Sequence, residues 1–96
     1  MVRKPSAEEY EKIKRNILKK LYAHKAFRKG HLLFERLQHG IPPHLAGFVE
    51  EVLEDLIQER LVMLYGKTKH GDAYKLNIEK LGEIEESIFA WDQPDK

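Results

Sequence analysis

Gly40-Ile41-Pro42-Pro43 cuts the chain near its middle. A proline ring fixes φ and removes an amide donor, so no helix continues through Pro42-Pro43, and glycine is the residue that most often closes a helix. Proline is equally suited to the first turn of a new helix. The four residues therefore predict a sharp corner between two helices. Of 96 residues none is cysteine, so the corner must be held by apolar burial and not by disulfides or thiolate-bound zinc. Apolar residues at 42% against 34% charged suit one small globular domain spanning 1–96.

Helical periodicity fills most of the chain around that corner. Ser6 and Glu9 stand at capping-box spacing, and Tyr10, Ile13, Ile17, Leu18 and Leu21 recur on one face, which predicts a helix over about 6–23. Residues 25–30 are too short for a helix and read as a connector or a brief edge strand. A second helix is expected over about 31–39, with Leu32, Leu33, Phe34 and Leu37 as its apolar residues. A third, over about 43–60, carries the stripe Leu45, Val49, Val52, Leu53, Leu56 and Ile57. Residues 61–65 turn β-branched and aromatic, residues 66–72 form a glycine-bracketed turn with basic residues, and 73–76 returns as a strand. Asn77 then caps a last helix over about 78–91. The fold class predicted is mainly α with a small β-hairpin, α+β in kind.

Charge is segregated along this order. The net value is only +1, yet residues 1–44 hold 11 Lys/Arg against 4 Asp/Glu, and residues 45–64 hold 1 against 5. Such segregation serves nucleic acid, an acidic partner or self-association between opposite patches. Enzymatic chemistry finds no footing. Ser6, Thr68 and Ser87 have no visible His/Asp partners, and no phosphate-cradling glycine pattern occurs, so no cofactor is expected. His31, Glu35 and His39 share a four-residue spacing, but on a helix they would span two turns, about 11 Å, too far for one ion. No metal is assigned. No apolar run reaches the ~18 residues of a membrane span and no leader pattern opens the chain, so a cytoplasmic location is expected.

Two stretches carry a resemblance. Val52-Leu53-Glu54-Asp55-Leu56-Ile57-Gln58-Glu59-Arg60-Leu61-Val62 is similar to the end of the third helix running into the first hairpin strand of MarR-like and ArsR-like regulators. Ala73-Tyr74-Lys75-Leu76-Asn77 resembles their second hairpin strand leading into the next helix. The chain thus resembles the winged helix-turn-helix superfamily over about residues 7–90, with an extra C-terminal helix and a wing at about 61–77. The resemblance implies duplex DNA as partner, transcriptional regulation as function, and a dimer as the usual assembly.

Phosphates need cations, and Lys67, Lys69 and His70 at the wing tip supply them, with Arg28 and Lys29 before the second helix. The third helix should face outward with His44, Gly47, Glu50, Glu51, Glu54 and Asp55. Only its first turn, His44 to Gly47, is free of acid, so either the helix touches DNA by that tip alone or it does not read DNA at all. Gly47 reads either as a close-packing residue against the second helix or as a site where a DNA backbone approaches. Tyr10, Ile13, Ile17, Ile84, Ile88, Phe89 and Trp91 offer more apolar area than the core plainly needs, which predicts a homodimer through the terminal helices. The competing expectation is a winged-helix protein-interaction module whose acidic third helix docks a partner.

Overall fold

The computed structural model describes residues 4–27 and 30–92, with side chains as far as Phe89. The first helix, α1 (Ala7–Ala23), starts where the capping box places it. The Ser6 hydroxyl accepts from the Glu9 amide at 3.1 Å, and the Glu9 carboxylate accepts from the Ser6 amide at 3.0 Å. Its end is a left-handed closure at Lys25, φ 53°, with the Ala26 amide donating to Leu21 O and the Lys25 amide to Tyr22 O. Ile13, Ile17, Leu18 and Leu21 form its buried face.

The second helix is shorter than its apolar residues predict. Leu32–Leu33 form a strand, β1, and only Phe34–Gln38 form the helix α2. The reason is a competing partner: Leu32 and Leu33 pair antiparallel with Tyr74 and Ala73. Three adjacent apolar residues have no helical period, and strand pairing satisfies their amides while burying Leu32. The Lys20 ammonium then donates to two carbonyls at the far end of α2, those of Leu37 and His39, and Gly40 leaves at φ +87°. This burial lowers the Lys20 pKa by desolvation.

The expected third helix is two helices. Pro43–Ala46 form α3 and Val49–Gln58 form α4. Between them Gly47 and Phe48 keep right-handed angles, but the Phe48 amide bonds to Leu45 O, three residues back and not four. The chain keeps its sense while the turn tightens, which lets Leu45 and Val49 both point into the core. Helix α4 closes at Arg60, φ 64°, by the same bonding pattern as α1: Leu61 N to Leu56 O and Arg60 N to Ile57 O.

Strands β2 (Val62–Thr68) and β3 (Gly71–Leu76) make the hairpin, and β1 adds a third strand in the order β1-β3-β2, all antiparallel. Tyr65 is an extra residue in β2, because Leu64 pairs with Tyr74 and Gly66 with Ala73. Asn77 caps as expected, but into a single 3-10 turn, Ile78–Lys80, before α5 (Leu81–Asp92) begins. The described residues thus form a mixed α+β fold of five α-helices and one three-stranded sheet. No helix among them is long and apolar enough to cross a membrane.

One polar contact ties α1 to α4. The Tyr10 hydroxyl donates to the Asp55 carboxylate at 2.6 Å, and burial, then that hydrogen bond and charge, push the tyrosine pKa upward. Tyr10→Phe should lower stability by about 1.5 kcal/mol in urea unfolding at pH 7, the worth of a hydrogen bond to a charged acceptor. The raised folded-state pKa sets the pH dependence: the stabilisation is complete below the unfolded tyrosine value near ~10 and is lost as pH rises above it. Wild type should therefore lose more stability than Tyr10→Phe between pH 9 and 11.

Candidate nucleic-acid interface

The tip of the hairpin is built by its turn chemistry. Thr68 pairs with Gly71, which leaves Lys69-His70 as a two-residue loop. The Thr68 hydroxyl accepts from the His70 amide at 3.0 Å and donates to Gly71 O at 2.8 Å. Gly71 sits at φ +116°, a backbone that side chains disfavour. Lys69 and His70 are exposed on this fixed loop and Lys67 is exposed on the adjoining end of β2, and no ion pair engages the three among the described residues.

On the corner, α3 starts at Pro43 and presents an exposed His44. Gly47 is also exposed, and a Cβ built there meets no atom within 4 Å. The close-packing explanation for Gly47 therefore fails: the space beside it is open. Arg28 and Lys29 lie outside the described residues.

Helix α4 turns Val49, Val52, Leu53 and Leu56 inward, so Glu50, Glu51 and Glu54 face out, as the periodicity predicts. Asp55 departs from that expectation: its carboxylate turns to α1 and accepts from Tyr10. Between α2, α4 and β3 lies a groove of about 640 Å³. Phe34, Leu53 and Tyr74 line it, together with the carboxylates of Glu35, Glu50, Glu54 and Asp72 and with His70. Burial raises the Tyr74 hydroxyl pKa, and the charges of Asp72, Glu50 and Glu54 push it further. The space beside α4 facing the hairpin is therefore acidic.

The expected dimer surface lies mostly inside the domain. Ile13, Ile17, Ile84 and Ile88 are each no more than 3% exposed, and all four belong to the single-chain core. Tyr10 packs against that core and is held by Asp55. Only Phe89, 49% exposed, presents area outward, with its ring edge-on to Tyr22 at 5.9 Å. The side chain of Trp91 lies outside the described residues. Of that expected surface, Ile13, Ile17, Ile84 and Ile88 are used in packing the helices and the sheet of one chain together.

His31, Glu35 and His39 do not share one helical face, since α2 begins only at Phe34. His31 stacks on Tyr65 instead, with ring centroids 4.3 Å apart. A cationic feature outside the expected site is a shallow groove of about 420 Å³ on α1, lined by Lys12, Arg15, Asn16 and Lys19 among others. The i, i+3, i+7 spacing of those cations was its available signal. Compared with known protein families, curated proteins and solved structures, the chain matches none.

Gly47 has helical angles and open space, so Gly47→Ala should stabilise the fold by about 0.5–1 kcal/mol through reduced unfolded-state entropy and better helix propensity. Urea unfolding checks this; a loss of stability would restore the close-packing explanation.

Proposed function

We propose that this chain is a winged helix-turn-helix protein that binds duplex DNA and acts in transcriptional regulation, with the hairpin tip and the start of α3 as its contacts. The observation that carries the reading is the tip itself: Lys69 and His70 exposed on a loop whose shape is fixed by Thr68 and Gly71, with Lys67 exposed beside it on β2. A preformed cationic loop meets phosphates without first having to be ordered, and phosphate neutralisation with counterion release supplies most non-specific DNA affinity. The element order supports it too, since α2 and α3 meet at a proline corner and β1 joins the hairpin in one sheet.

The acidic body of α4 is not a groove-reading surface on this proposal. Base-edge readout uses mostly Arg, Lys, Asn and Gln, and α4 offers outward carboxylates instead. Contact falls to the cationic tip, to His44 and to the exposed backbone at Gly47. One chain supplies all three, so binding needs no second copy.

Fluorescence anisotropy with a labelled 20-base-pair duplex, run from 50 to 200 mM salt, tests this. Wild type should bind at low salt and weaken steeply as salt rises. Lys67→Glu/Lys69→Glu should weaken binding more than tenfold and flatten the log–log salt slope by about two, roughly one for each phosphate no longer neutralised. Equal affinity and slope in the two proteins would refute the assignment.

A further inference from the structure

The groove between α4 and β3 has properties that DNA binding does not use. It is apolar at Phe34, Leu53 and Tyr74, and its carboxylates come from three separate elements: Glu35 from α2, Glu50 and Glu54 from α4, Asp72 from β3. A solvated helix face would account for Glu50 and Glu54 alone. It does not account for two further acids brought beside them by α2 and the hairpin.

None of the four carboxylates is in an ion pair among the described residues, whereas Glu59 pairs with Lys14 and Glu83 with Lys80. Among the described residues their charge is thus left without a paired cation. Their convergence is felt at the Tyr74 hydroxyl, whose pKa the charges of Asp72, Glu50 and Glu54 raise beyond the effect of burial. Phosphate is excluded from such a site by sign. A bound metal ion is disfavoured by geometry, since no three acidic or histidine groups among the described residues are placed to hold one. An occupant must bring more than one positive charge, spread over several ångströms, and an apolar group for the floor.

We infer that this groove docks a basic peptide segment of a partner protein, with Lys or Arg side chains paired to Glu50, Glu54 and Asp72 and an apolar side chain seated against Phe34, Leu53 and Tyr74. The volume lies within the ~300–1,000 Å³ range of ligand pockets. Guanidinium groups match carboxylates with two parallel hydrogen bonds, which favours arginine at the rim.

Panning a display library of random twelve-residue peptides on the full chain tests the inference. Enriched peptides should carry at least two Lys or Arg around an apolar residue. A labelled selected peptide should bind wild type at least tenfold more tightly than Glu50→Gln/Glu54→Gln, and more tightly than Asp72→Asn, which probes the same groove from a different element. Glu50 and Glu54 are exposed, so the melting curve of Glu50→Gln/Glu54→Gln should overlay wild type; Asp72→Asn also alters a hydrogen bond with the Tyr74 hydroxyl, so its binding is read at a temperature where its own melting curve shows it fully folded. Peptides without basic residues, no enrichment, or binding to both variants as tight as to wild type would overturn the proposal. Sedimentation of wild type alone supplies a further check: self-association that disappears in Glu50→Gln/Glu54→Gln would make the occupant a second copy and overturn it as well.

Discussion

Four elements are laid against the inner face of α1, formed by Ile13, Ile17, Leu18 and Leu21, each no more than 2% exposed. α2, α4, α5 and β3 all pack on this helix. Burying such side chains stabilises by about 1.5–3 kcal/mol each, against about 1 kcal/mol for a typical hydrogen bond, so apolar burial decides that the elements associate. Polar links then fix how they are turned. Tyr10 reaches Asp55 on α4, Lys20 reaches the carbonyl end of α2, and Tyr22 donates to Glu85 on α5 at 2.6 Å. Each link leaves α1 toward a different neighbour, so together they orient three helices about one.

That arrangement decides which charges face solvent together. With Val49, Val52, Leu53 and Leu56 committed to the core, α4 has no rotation left that hides Glu50, Glu51 and Glu54. Pairing β3 with β1 sets Tyr74 and Asp72 across from α4, and the acidic groove follows. The cations have no place there. They remain at the hairpin tip and along α1, where the sequence is richest in lysine and arginine. The segregation visible along the chain thus becomes segregation in space, because the acidic run coincides with a single helix whose inner face is fully apolar.

Much of this was legible in the residues themselves. The capping box at Ser6 and Glu9, the stripe of α4 and the hairpin with its basic tip are local patterns, and local patterns are what one-dimensional spacing encodes. β1 was not legible, because Leu32 and Leu33 become a strand only by pairing with residues about forty positions further on. The break at Gly47-Phe48 was hidden by an apolar stripe that runs across it without interruption. The core role of Ile13, Ile17, Ile84 and Ile88 was misassigned for a related reason: an apolar face records that a neighbour exists, not whether that neighbour belongs to the same chain. The groove could not be read at all, since its carboxylates are separated by up to 37 positions between Glu35 and Asp72.

The two proposed surfaces share the hairpin, and their charges fix the sign of any coupling between them. His70 belongs to both, being part of the tip loop and of the groove lining, and Asp72 lies opposite Lys67 in the strand register. Charge interactions in physiological salt decay over about 8 Å, and Asp72, the strand partner of Lys67, stands where it would act on phosphates held by that lysine. Unoccupied, Glu50, Glu54 and Asp72 oppose DNA. A cationic segment seated among them offsets that repulsion and favours it. Linkage makes the effect reciprocal, so DNA at the tip must tighten the basic segment in the groove by the same factor. On the two proposals together an acidic groove beside a cationic tip is not a contradiction: the strength of the proposed DNA contact would depend on what fills the groove.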